Sequence, residues 1–262
     1  MIIIKQKTFF LLLLVALTML SISQLIGLSK ANEQAPYMPR HINLSGNIIH
    51  FSMPENFSQD FPAEDLVENV NLDDPELLKA GQPLELLRRW WDFKDDSFFS
   101  RDKGIMMMTI HLYRINKSSK NISHPVEFIS VLLDEMKKRY NEENKGRSNE
   151  DKKYYPEFYR SFFEEIYNNQ KWIKGGASTA DESQIEFHKW KPLTENYYLG
   201  VEFHFAPSNN ISMRNFIDLY AREMMLKIMS TFEIVYSEKN PIKEKLEANK
   251  TLKLENLIEA LK

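Results

Sequence analysis

Large apolar side chains between residues 84 and 93 fall on both sides of a period-two repeat. Leu87, Arg89, Trp91 and Phe93 share one side, and Leu86, Arg88, Trp90 and Asp92 share the other. This predicts a strand covered on both faces, central in its sheet, with Arg88 and Arg89 stacking on rings or pairing with carboxylates. Residues 105–115 repeat the pattern through Met106, Met107 and Met108 and predict an antiparallel neighbour, the methionines serving as adaptable core. Residues 41–54 predict a hairpin, with two short apolar runs around Ser45, Gly46 and Asn47, ended by Pro54.

Helical spacing appears in three places. Pro125 opens a helix over 125–140 through Val126, Ile129, Leu132, Leu133, Met136 and Tyr140. Residues 156–169 predict a second, with an aromatic face of Phe158, Tyr159, Phe162 and Phe163. Ser212 caps the strongest, 213–232, whose stripe runs from Phe216 and Ile217 through Leu219, Met224 and Leu226 to Ile228 and Phe232. The charged stretch 141–153 reads as a mobile loop or frayed helix end. Residues 171–174 read as a short strand broken by Gly175 and Gly176, and 231–235 as a last strand.

Two further strands, 184–191 and 197–205, each contain Glu-Phe-His. Paired as a hairpin centred on Glu195, they set His188 opposite Glu202 and Glu186 opposite His204, all four on one face. The fold class is therefore α+β: an antiparallel sheet of about five to seven strands with helices packed on it. One domain is expected over 41–237, after a linker at 32–40 and before a charged amphipathic tail helix at 238–262.

The N-terminus changes where such a domain is placed. Lys5 and Lys7 precede an uncharged run over 9–28, and Ser29, Lys30 and Ala31 follow. This is the layout of a signal peptide over 1–31, cleaved after Ala31 or kept as an anchor, and it puts the domain in the periplasm. The chain has no cysteine, so lipidation, disulfides and thiol catalysis are excluded. Loss of Lys5, Lys7 and Lys30 leaves 31 basic against 37 acidic side chains, a net charge of −6. That balance argues against nucleic acid and suits a basic protein partner. Membrane contact is expected only through an uncleaved N-terminal segment.

The acidity is concentrated. Between Arg40 and Lys79 there is no lysine or arginine, while Glu55, Asp60, Glu64, Asp65, Glu68, Asp73 and Asp74 lie within it. This stretch is either a solvated acidic loop or a docking surface for a cationic partner, and these seven residues are the partner-binding candidates.

Catalytic chemistry is hard to find. There is no Gly-x-Ser-x-Gly elbow, phosphate loop, dinucleotide fingerprint or His-Glu-x-x-His. Glu186, His188, Glu202 and His204 form either a metal or acid–base patch or the ordinary polar face of a sheet. The second reading is preferred, so no catalytic residue, metal or cofactor is expected. The aromatic set Tyr154, Tyr155, Phe158, Tyr159, Phe162, Phe163 and Tyr167 reads as core packing ahead of a ligand groove.

Two resemblances follow from quoted residues. The strand Tyr198-Leu199-Gly200-Val201-Glu202-Phe203-His204-Phe205, followed by a long helix closing at Lys227-Ile228-Met229-Ser230-Thr231-Phe232-Glu233-Ile234, resembles the end of PsbP/DcrB-type α+β domains. The element Gly46-x-Ile48-x-x-Phe51-x-Met53-Pro54 is similar to their opening hairpin. An exported, acidic, motif-poor domain with Arg89-Trp90-Trp91-Asp92-Phe93 also resembles, over 41–233, the periplasmic immunity proteins that neutralise type VI secretion lipase effectors. The absent lipobox cysteine departs from those immunity proteins that are lipoproteins. The resemblance implies a non-enzymatic protein that occludes a cognate effector with a basic surface. The alternative is a housekeeping envelope protein of PsbP/DcrB type with an assembly or stress role, told apart by gene neighbourhood.

Overall fold

The computed structural model describes residues 35–58, 60–61, 66–74, 83–94, 101–115, 120–156, 158 and 161–248. The N-terminal apolar run, Glu64, Asp65 and the end of the tail lie outside these residues. Among the described residues no helix is long and apolar enough to cross a membrane.

The chain runs β1 (Tyr37–Leu44), β2 (Asn47–Pro54), β3 (Asn69–Val70), β4 (Leu84–Lys94), β5 (Asp102–Arg114), α1 (Pro125–Glu143), β6 (Lys153–Tyr154), β7 (Phe163–Tyr167), β8 (Gln170–Thr179), β9 (Ile185–Pro192) and β10 (Tyr197–Pro207). Then come α2 (Met213–Phe216), a π-helical turn (Ile217–Ala221), α3 (Arg222–Ser230), β11 (Glu233–Val235) and α4 (Lys243–Ala248). Seven strands form one antiparallel sheet in the order β4-β5-β10-β9-β8-β6, with β7 also on β8. This is the expected α+β architecture. A second, four-stranded sheet, β11-β2-β1-β3, takes up the predicted hairpin. Its turn is tight because Ser45 and Gly46 both adopt positive φ, 50° and 85°. Strand β1 begins at Tyr37, inside the segment read as a linker.

The large sheet has two differently covered faces. On one, Leu87, Trp91, Met106, Met108, Leu199, Val201 and Phe203 share a core with Ile42, Ile49 and Phe51 of the small sheet and Phe216, Ile228 and Phe232 from the C-terminal helices. On the other, α1 lays Phe128, Ile129, Leu132, Met136 and Tyr140 over Ile173, Ala177, Trp190 and Tyr198. Helix α1 forms as expected and runs three residues further, to Glu143.

Four expectations change. Strand β4 is an edge strand, not the central one. Only Leu86, Leu87 and Trp91 of it are buried, and Ser58 N donates to Trp90 O (2.8 Å) and Val67 N to Leu86 O (3.0 Å), capping the free edge. Phe61 stacks on Trp90 at 4.6 Å, Arg88 pairs with Glu85, and the Arg89 guanidinium lies 5.0 Å from the Phe57 ring centre.

Residues 163–167 form a strand where 156–169 predicts a helix. Asn168 and Asn169, both at positive φ (46° and 57°), turn the chain straight back into β8. Of the residues that give the helical spacing, Phe158, Phe163 and Ile166 are exposed while Phe162 is buried under α1, and Tyr154, read with them as core packing, is exposed too. Strand β8 also runs unbroken through Gly175 and Gly176. A β-carbon at Gly175 would meet the Trp190 ring at 2.8 Å, so the glycines let Trp190 lie across the strand. Finally, the buried stripe over 213–232 is displaced from the expected one. Met225 and Met229 are buried, whereas Leu219 and Leu226 are exposed.

Candidate functional site

The β9–β10 register is the expected one: His188 pairs with Glu202, and Glu186 with His204. What the sequence does not show is depth. Glu186, His188 and Glu202 are buried at 4%, 1% and 1% exposure, beneath the C-terminal half of α1.

Buried carboxylates need partners, and two other elements supply them. From α1, Arg139 Nη1 donates to both Glu202 oxygens at 3.1 Å and Nε donates to Glu143 Oε1 at 3.0 Å. Tyr140 OH donates to Glu186 Oε2 at 2.7 Å and lies 3.1 Å from His188 Nε2. From β6, Lys153 pairs with Glu186 Oε1 and, at 3.1 Å, with Glu143 Oε2. From β5, Tyr113 OH donates to Glu202. Lys153 falls at the end of the stretch read as a mobile loop. That stretch instead turns after Glu143 and returns through Asn144, whose side chain holds Lys153 O (2.9 Å) and N (2.8 Å).

Electrostatics follow from this packing. Burial alone would raise both carboxylates, but His188 and the surrounding cations hold Glu202 and Glu186 well below the usual carboxylate range. Burial would lower His188, but Glu202 and Glu186 on either side outweigh it and favour the imidazolium. Three carboxylates, Glu143, Glu186 and Glu202, thus face three cations, Arg139, Lys153 and His188. The network is closed. Both oxygens of Glu186 and of Glu202 are engaged, which leaves neither as a ready general base. Among the described residues no group of three or more His, Asp and Glu is placed to hold a metal ion.

The sign of the pH dependence is fixed by these shifts. The His188 contribution is complete below its ordinary value of 6.5 and is lost as pH rises through its raised folded value. The Glu186 and Glu202 contributions are present above their ordinary value of 4.5 and are lost as pH falls. His111, on the same face, is lowered, chiefly by burial, and acts in the opposite direction to His188. Comparison with His188→Gln cancels the His111 effect. The stability advantage of the unsubstituted protein over this variant should be greatest near about pH 5.5 and shrink as pH rises above neutrality. Urea denaturation at stepped pH checks this; a pH-independent difference would mean that His188 is buried neutral.

A second ion pair, buried on its lysine side, sits on the opposite face. Lys189, 1% exposed, pairs with Glu165 on β7, and Tyr167 OH donates to the same carboxylate. Reading β7 as helix hides this partner.

The acidic candidates are not gathered into one group. Glu55, Asp60, Glu68, Asp73 and Asp74 are all exposed. They lie beside β4 and β3, on chain tied down by the Ser58 and Val67 bonds and by Asn43 N donating to Glu68 O (2.7 Å). Glu55 pairs with Arg40 at 2.9 Å, so its charge is opposed. Glu64 and Asp65 lie outside the described residues. No protein-family model and no curated protein matches this chain.

Proposed function

We propose that this protein acts by binding, as a periplasmic immunity protein that neutralises a secreted antibacterial effector by occluding it. The observation that carries the reading is the contrast between its two sets of acidic residues. Those under α1 are buried and matched by cations, while Glu68 and Asp73 are exposed on chain fastened to the small sheet. A fixed, negatively charged surface steers a cationic protein partner and needs no reactive group.

The test is association with the product of the neighbouring gene. Replacing Glu68, Asp73 and Asp74 by lysine should slow association about tenfold at low ionic strength and leave the unfolding midpoint nearly unchanged. An unchanged on-rate would clear this surface of a docking role. Unchanged toxicity of every adjacent effector in cells carrying the protein would remove the immunity reading altogether.

A further inference from the structure

Helix α1 covers its sheet face incompletely. A cavity of about 420 Å³ opens between α1 and strands β5, β9 and β10. Its walls include Tyr113, Tyr198 and Trp190 from the strands and Leu132, Glu135 and Met136 from the helix. Tyr113 and Tyr198 stack in parallel with ring centres 4.7 Å apart, which fixes their orientation.

We propose that this cavity binds a small organic cation, an amine or quaternary ammonium held against the Tyr113, Tyr198 and Trp190 rings with Glu135 as its counter-charge. Three observations lead there. First, aromatic rings in a pocket whose accessible surface is mostly apolar attract a poorly hydrated cation through the ring quadrupole. Second, Glu135 makes no hydrogen bond or close ion pair among the described residues. Burial in apolar surroundings raises its carboxyl, and exposed Lys138, one turn on, offsets this only in part. Third, most of the other charges lining the cavity are already matched, Lys138 standing exposed at the cavity one turn from Glu135. Arg139 is held by Glu202 and Glu143, Glu142 by Lys145, and His188 lies between Glu186 and Glu202. An anion entering here would meet Glu135 and would find only the exposed Lys138 ammonium to receive it. The site stands apart from the acidic surface and does not depend on the immunity reading.

Benzyltrimethylammonium is a suitable probe, with benzyl alcohol and phenylacetate as neutral and anionic counterparts. Calorimetric titration of the mature chain should show saturable binding of the cation alone, and the Trp190 indole N–H resonance should shift on binding. Glu135→Gln, on a helix surface where it preserves shape, should weaken binding about tenfold without moving the thermal midpoint. The proposal is overturned if the cation does not bind saturably, if benzyl alcohol binds equally well, if Glu135→Gln leaves affinity unchanged, or if the Trp190 resonance stays in place.

Discussion

Replacing Glu202 by glutamine is expected to destabilise the domain by about 3–5 kcal/mol, the cost of breaking a buried ion pair from one side. Glutamine keeps the shape but removes the charge that Arg139 Nη1 grips with two bonds and that faces His188 at 3.5 Å. His188, 1% exposed, would retain only Glu186 as a counter-charge. Total stabilities of domains are about 5–15 kcal/mol, so the loss is a large share of the whole. The companion experiment separates charge from packing. Changing Glu202 and His188 together to leucine removes both buried charges, leaving Arg139, which is partly exposed, to Glu143. The double variant should therefore be more stable than the sum of the single losses requires, with a coupling of at least about 1 kcal/mol in a double-mutant cycle. Urea denaturation of the parent, Glu202→Leu, His188→Leu and the double variant gives the cycle, with Glu202→Gln measured beside them. A single loss below about 1 kcal/mol, or strict additivity, would show that the network is not the buried electrostatic unit described above.

Trp91→Ala should cost about 3–5 kcal/mol and leave the domain largely unfolded at moderate urea. Trp91 is fully buried, lies opposite Met106 across the β4–β5 pair, and tilts against Phe57 with ring centres 5.9 Å apart. Its indole N–H donates to Pro54 O at 3.3 Å, which ties the edge strand to the end of β2. Truncation therefore opens a cavity where the large sheet, the small sheet and the acidic segment meet. Trp90 gives the contrast within the same strand. It is only partly buried and stacks on Phe61, so its truncation should cost less. A folded Trp91→Ala protein within about 1 kcal/mol of the parent would reverse the assignment of this residue to the core.

These two residues also show how far the sequence could be read. The Glu202–His188 and His204–Glu186 pairing was legible because strand side chains alternate with period two and a short hairpin fixes the register. The partners that make the patch a closed network were not. Arg139 and Tyr140 arrive from a helix 46 to 63 residues earlier in the chain, and Lys153 from a two-residue strand with no pattern of its own. A sequence shows which face a side chain shares, but not what is laid over that face.

Two other elements fail for related reasons. Apolar residues on both sides of 84–93 correctly indicated the burial of Leu86, Leu87 and Trp91 but not the strand's position. An edge strand capped by a loop, with large side chains partly buried on both faces, reads like a central one. Over 156–169, aromatic residues at near-helical spacing outweighed the turn signal of Asn168 and Asn169. The backbone there is decided by those two residues in the left-handed region and by pairing with β8, not by periodicity.

By itself, the sequence determined the hairpin β1–β2, the strands β4, β5, β9 and β10, the amphipathic α1, the Ser212 cap and the β9–β10 register, because local alternation and turn chemistry act over a few residues. Only the tertiary structure decided that a second sheet forms, that β4 lies at an edge, that the Glu–His patch is buried and neutralised, and that a cavity remains beside α1. These depend on contacts between residues far apart in the chain, which no local pattern records.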